Sequence, residues 1–197
     1  MIVRLLDIAV ASAGLLVSSP FLLTAMIAIR IESHGSPIYR QRRIGRHGEP
    51  FEMLKLRTMV SGAEHLGAGM AVNHGDPRIT RVGHVLRRFS IDELPNLVNV
   101  LRGEMSIVGP RPTIQAQVDQ YTPPQRRRLE VKPGITGWAQ INGRASLPWH
   151  ERIELDVWYV DHRTLRLDLA ILLKTVRLLA SGEGLYKGDR GGWKTHA

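Results

Sequence analysis

Two adjacent carboxylates, Asp92 and Glu93, and one guanidinium, Arg111, stand in a single stretch, SIDELPNLVNVLRGEMSIVGPRP, over residues 90–112. Side chains one residue apart on a helix point about 100° apart. One carboxylate can therefore hold a divalent cation while its neighbour faces a reacting phosphorus. Ser90 is a suitable N-cap and Pro95 is tolerated only in an early turn, so the pair is predicted at a helix start. Unpaired N–H groups there favour a phosphate and keep a carboxylate ionised. Pro110 and Pro112 restrict the backbone around Arg111, which suits a fork-shaped phosphate clamp. Lys55 and Arg57 alternate with Leu54, Leu56 and Met59, so they emerge from a half-buried strand and are placed to line a site. A structural alternative stands beside this one. Ser90 and Glu93 have capping-box spacing, and two acids can simply complement a helix dipole.

Composition narrows the chemistry. The 197 residues hold no Cys, which excludes disulfides and thiolate zinc sites. None of the eight His is spaced as in a zincin, and G-x-S-x-G, Walker A and G-x-G-x-x-G sequences are absent. Oxygen ligands among many Arg suggest Mg²⁺ with a phosphorylated substrate. The 27 Lys+Arg against 18 Asp+Glu give a formal charge of +9, which calls for an anionic partner. Aromatics are only 6%, a thin supply for stacking bases, yet composition alone leaves nucleic acid, an acidic membrane surface and a phosphorylated substrate all open.

The elements that must position these residues follow from periodicity. Residues 8–29 carry no charge and are bracketed by Arg4, Asp7 and Arg30. At about 1.5 Å per residue they match a bilayer core of about 30 Å. Ser18-Ser19-Pro20 falls mid-run, where Pro20 cannot donate to the Leu16 carbonyl. A kinked spanning helix and a helix–break–helix dipping into one leaflet both fit, with the Ser hydroxyls satisfying freed backbone groups. Positive charge at both ends leans toward the second. Residues 37–60 read as two strands around a Gly turn, with Arg40, Arg42, Arg43 and Arg46 as a solvated basic face beside anionic headgroups. Residues 61–83 read as a Gly-rich loop. Helices follow around Val82–Phe89, where Val82, Val85, Leu86 and Phe89 recur as one apolar face with Arg87 and Arg88 opposite, and around Leu94–Leu101, the latter stopped by Gly103. Residues 121–134 form a Pro-bracketed connector with a basic run at Arg126, Arg127 and Arg128. Residues 131–144 make a poor helix and an ordered loop, and residues 149–160 and 165–180 are helical.

Taken together, the blocks resemble those of bacterial sugar transferases, the monotopic phosphoglycosyl transferases, in minimal catalytic form. The blocks that carry the resemblance are Ser19-Pro20, PIYRQRRIGRHGEPFEMLKLRTM (37–59), DPRITRVG (76–83) and residues 90–112. KPGITGWAQINGR (132–144) and Asp156…Tyr159…Asp168 complete the set. The resemblance implies an α+β, mainly helical fold in three parts. These are a re-entrant membrane helix over residues 1–36, a cytoplasmic catalytic domain with interfacial amphipathic helices over 37–180, and a tail over 181–197. It implies transfer of a sugar-1-phosphate from a UDP-sugar to polyprenyl (undecaprenyl) phosphate at the cytoplasmic face of the bacterial inner membrane, with release of UMP. By matching positions Asp92 is the nucleophile, Glu93 the Mg²⁺ ligand, and Lys55, Arg57 and Arg111 the phosphate-neutralising cations. Asp156 is a further polar or metal-site contributor, Ser19 and Pro20 the membrane break, and Arg87 with Asp168 a structural ion pair. The resemblance implies membrane lipids as further partners and no nucleic acid, and a homo-oligomer is compatible with the sequence. The sugar is not legible; its specificity is expected in loops at residues 62–75 and 137–147.

Overall fold

A computed structural model describes residues 2–63, 66, 75–143 and 146–181. The loop expected to read the sugar at 62–75 and the tail at 181–197 lie largely outside the described residues, as do Arg144 and Ala145.

Helix α1 (Ile2–Glu32) is a single 31-residue run with Pro20 inside it, long and apolar enough to cross a membrane. The expected interruption is thus not a gap between two helices. Ser19 Oγ donates to the Leu16 carbonyl at 2.8 Å, the acceptor that Pro20 leaves without its N–H. Asp7, Ala11, Ser18, Ala25 and Ile29 recur in steps of four and seven and form the buried stripe. Leu16, Val17, Phe21 and Ile31 on other faces are more than half exposed.

The stripe docks at both ends. Near the N-terminus the Arg4 guanidinium donates to the Val100 and Leu101 carbonyls, and Asp7 accepts from Ser106 Oγ and from the Ile107 N–H at 2.9 Å. At the other end Ala25 and Ile29 pack with Leu56 and Leu86, while the Glu32 carboxylate accepts from the Arg81 and Val82 N–H groups. Those are orphan donors at the start of α2 (Arg81–Arg88), which Thr80 also caps.

Strands β1 (Ile38–Ile44) and β2 (Pro50–Leu56) form the expected antiparallel hairpin, in register from Ile38↔Leu56 to Ile44↔Pro50. Helix α3 (Asn96–Arg102) ends at Gly103 in the left-handed region, φ 84°, as its sequence predicts. Asn99, fully buried, ties α3 to the hairpin: its Oδ1 accepts from the Leu54 N–H and its Nδ2 donates to the Glu52 carbonyl. Short helices α4 (Gln115–Val118) and α5 (Pro123–Arg126) follow β3 (Ser106–Val108). The stretch over 131–144 is not a plain loop. It holds β4 (Gly134–Thr136), parallel to β3, and α6 (Trp138–Ile141). The β3–β4 pairing supplies partners for backbone groups that its Gly and Pro content cannot satisfy locally. Helices α7 (Trp149–His162) and α8 (Leu165–Ser181) close the domain. The described residues are mainly helical with two small sheets.

Three expectations are corrected. Arg87 and Asp168 do not pair: Asp168 accepts from the Tyr159 hydroxyl at 2.6 Å, whereas Arg87 reaches Thr58 Oγ1 at 3.4 Å. Val85 and Phe89 share helical spacing with Leu86 yet stay more than half exposed, because α2 turns only Gly83 and Leu86 fully inward. Arg43 is no part of a solvated face, as the site shows.

Candidate active site

Lys55 is carried by β2, and Asp92 with Glu93 by a single 3₁₀ turn, Ile91–Glu93, ahead of α3. Ser90 does not cap this turn through its side chain. It takes the left-handed conformation at φ 54°, reversing the chain between α2 and the turn. A non-glycine residue held there is strained, and such strain collects at functional sites. Glu93 is therefore released from the predicted capping box. Its Oε1 accepts from Lys55 Nζ at 2.8 Å and from Arg111 Nη2 at 2.7 Å.

Arg111 is mounted rigidly, as its flanking prolines imply. The Gly109 N–H donates to the Thr136 carbonyl and the Gly134 N–H to the Pro110 carbonyl. A Cβ at Gly109 would stand 2.4 Å from the Lys132 carbonyl, so only glycine permits this close approach. On the far side the Ile44 N–H donates to the Thr113 carbonyl, Arg128 donates to the Arg111 carbonyl at 3.0 Å, and Arg43 to the Pro112 carbonyl at 3.3 Å. The Arg111 side chain itself is half-exposed.

The two carboxylates differ in electrostatic state. Burial would raise Glu93, but the charges and hydrogen bonds of Arg111 and Lys55 prevail and hold it well below the usual carboxylate range. Asp92 is 8% exposed and makes no hydrogen bond or ion pair among the described residues. Burial, aided by the neighbouring Glu93 charge, outweighs Lys55, Arg87 and Arg111 and pushes it up to about 6. It is ionised at neutral pH and unencumbered, as a nucleophile must be. Burial lowers Lys55, and burial with the Arg111 charge brings Arg43 down to about 10.

All these groups line one cavity of about 760 Å³. Among the described residues seven cationic side chains line it (Arg43, Lys55, Arg57, Arg87, Arg111, Arg128 and Arg152), against three carboxylates (Asp92, Glu93 and Asp156). Such an excess of positive charge in a concave site attracts polyanions. Arg57, expected to neutralise phosphate, has its guanidinium on the end of α1, donating to the His34 carbonyl, the Ser33 carbonyl and Ser33 Oγ. Asp156 lines the cavity 2% exposed, and its Oδ2 accepts from Arg128, which in turn holds the Arg111 carbonyl and the Tyr121 hydroxyl. Asp156 thus positions the Arg111 loop through Arg128. Burial raises its carboxyl despite Arg128.

Arg43, Arg87, Arg128 and Arg152 line the cavity although the sequence did not assign them to the site: it read Arg43 as part of a solvated face and Arg87 as half of a structural ion pair. Arg43 was recoverable: Tyr39, Gln41 and Arg43 alternate along β1 and share the face that carries Lys55 through the Tyr39↔Lys55 pairing, whereas Arg40 and Arg42 point out. Arg128 lay in a run of three identical residues, of which only one is buried.

Magnesium chemistry can be tested against the donors. No three Asp, Glu, His or Cys side chains gather into a metal nest among the described residues. Mg²⁺ is commonly held by one or two carboxylates with substrate phosphates and waters completing an octahedron. Both hydrogen bonds to Glu93 fall on Oε1, which leaves Oε2, and Asp92 has both oxygens open. The residues fit such a site.

An unpartnered buried carboxylate, a cation-clamped neighbour and a basic cavity, carried on an apolar helix, make up a site for phosphoryl transfer. The chain belongs to the bacterial sugar transferase family, whose model matches residues 1–182. Its relatives include the sugar transferase EpsL of Bacillus subtilis, 45% identical over 92% of this chain and 89% of that protein. The exopolysaccharide production protein ExoY of Rhizobium meliloti is 39% identical over 93% of this chain and 87% of its own length. The UDP-glucose:undecaprenyl-phosphate glucose-1-phosphate transferase of Caulobacter vibrioides is 42% identical over 93% and 71%.

Proposed function

We propose that this chain transfers a sugar-1-phosphate from a UDP-sugar to undecaprenyl phosphate, in the manner that the name of the Caulobacter relative describes. The observation that carries the reading is Asp92: buried, unpartnered among the described residues, and turned to a cavity rich in guanidinium groups. An Asp92 carboxylate oxygen attacks the sugar-bearing β-phosphorus, the bond from that phosphorus to the bridging oxygen breaks, and UMP leaves. An oxygen of the lipid phosphate then attacks the same phosphorus, the bond to Asp92 breaks, and a polyprenyl diphosphate-linked sugar forms. Arg111 and Lys55, already paired to Glu93, and Arg43 behind them neutralise charge on the transferring phosphoryl group. Glu93 through Oε2, with Asp92 beside it, would hold Mg²⁺, which when bound neutralises the diphosphate.

The docking of α1 supports a re-entrant course. Arg4 and Asp7 at one end and Glu32 at the other are bonded to the same catalytic domain. A helix crossing the bilayer would carry one of these ends to the opposite side. The exposed apolar positions of α8 (Leu165, Leu169, Leu173 and Val176), together with Phe89, suit a domain resting on the membrane interface. Cytoplasmic UDP-sugars place that domain on the cytoplasmic face.

The test is turnover. Purified protein with Mg²⁺, undecaprenyl phosphate and a panel of UDP-sugars is expected to release UMP only when the lipid is present for repeated cycles. Continuous lipid-independent release would indicate a hydrolase, and no release from any UDP-sugar would remove the reading.

A further inference from the structure

Among the cations around the cavity, Arg152 on α7 stands apart. Lys55 and Arg111 hold Glu93, Arg128 holds Asp156, Arg57 holds the end of α1, and Arg43 holds Gln41 and the Pro112 carbonyl. The Arg152 side chain makes no hydrogen bond or ion pair among the described residues, and its Nε is buried without an acceptor. Burial and the charges of Arg111 and Arg128 destabilise its cationic form, with Asp156 only a partial counterweight. A guanidinium kept in a cavity beside two others is costly unless an anion arrives. Two acceptors are equally unmatched: Asp156 Oδ1 and Gln140 Oε1 are buried and receive no donor among the described residues. Both residues line the same cavity. A bare phosphate satisfies Arg152 but is repelled by Asp156 Oδ1. A ligand with a phosphate next to O–H or N–H donors satisfies all three, and a nucleoside monophosphate is such a ligand.

We propose that Arg152, with Asp156 Oδ1 and Gln140 Oε1, forms the subsite for the nucleotide half of the donor. Arg152 holds the α-phosphate, and the two acceptors take hydroxyl or N–H donors of the nucleoside. The proposal rests on the UDP-sugar reading above. Arg152, Arg111 and the reacting carboxylates line the same cavity, so a donor held through Arg152 stays within the site that holds Asp92. Because its side chain holds nothing among the described residues, Arg152→Ala is expected to leave the apoprotein folded.

Titration calorimetry on the full chain in nanodiscs, with UMP and inorganic phosphate as separate probes, avoids any need to know the sugar. Wild type is expected to prefer UMP to phosphate. Arg152→Ala is expected to weaken UMP by roughly 10- to 100-fold, the worth of a charge-assisted hydrogen bond or two. Arg152→Lys should recover part of the loss. The apo melting temperature should hold or rise, and the UMP-induced shift in melting should vanish. In turnover, KM for the UDP-sugar rises while KM for undecaprenyl phosphate does not. Unchanged UMP affinity, a drop in apo melting temperature, or a rise in the lipid KM instead of the donor KM would each overturn the subsite. Lipid-dependent UMP release by wild type is read separately, so loss of the subsite leaves the transferase reading standing.

Discussion

At the residue scale, adjacent carboxylates of opposite electrostatic fate are the feature that sets the chemistry. Asp92 has a folded pKa of about 6 against an ordinary 3.8, so its ionised form opposes folding, and stability rises as pH falls from about 6 toward 3.8. Glu93 lies on the other side. Its depressed value contributes stability above the ordinary 4.5, lost only as pH falls through its much lower folded value. Asp92→Asn at neutral pH should therefore raise the melting temperature by a few degrees while lowering turnover by roughly a thousandfold or more. Glu93→Gln should lower both, by about 2 kcal/mol in stability, because Lys55 and Arg111 lose a charged acceptor. A melting series with both variants checks the pair. In the pH profile of kcat/KM an acidic limb near 6 is expected from Asp92, with activity lost below it. The pair and Arg111 were legible because neighbouring acids and flanking prolines are local signals. The pairing of Glu93 with Lys55, 38 positions away, and the open state of Asp92 were not. Both depend on Ser90 taking a left-handed conformation that its residue type does not announce.

At the element scale, periodicity located most helices and the hairpin, and Gly103 marked a true stop. It misjudged the stretch holding β4 and α6, because three-residue parallel strands carry no alternation to detect and exist only through their partner. It also could not tell which Arg of a run turns inward: Arg43 needed the strand register, and Arg128 needed Asp156 on α7. Close packing between elements is where single substitutions should tell. A Cβ at Gly83 of α2 would stand 2.0 Å from the Thr58 carbonyl. Gly83→Ala should cost about 2 kcal/mol, read as a lowered melting temperature. The docking of α1 is equally local: Asp7→Ala leaves the Ser106 hydroxyl and the Ile107 N–H unpaired in a buried setting. A loss of about 1–3 kcal/mol is expected, again from thermal melts.

At the scale of the whole molecule, an apolar helix and a basic domain are bound into one body by polar contacts at both ends of the helix. Ser19 answers the carbonyl freed by Pro20, so the helix passes its proline without an unsatisfied acceptor at that position. The chain contains no Cys, so single cysteines report cleanly. Ile2→Cys and His34→Cys should both be labelled by an impermeant reagent from the cytoplasmic side alone. Labelling of the first from the outside would mean a spanning helix. The apolar run and its proline were legible in the sequence. The docking of Arg4, Asp7 and Glu32 was not, since it joins residues about a hundred or about fifty positions apart.

The central claim is that Asp92 carries the phosphosugar covalently, and intact-protein mass spectrometry tests it most directly. With Mg²⁺ and the accepted UDP-sugar but no lipid acceptor, the wild-type mass should rise by one sugar phosphate, mapped to the peptide holding Asp92. Undecaprenyl phosphate should discharge the adduct, and Asp92→Asn should never form it. Transfer to the lipid at full rate by Asp92→Asn, or an adduct mapped to any other residue, would contradict the account.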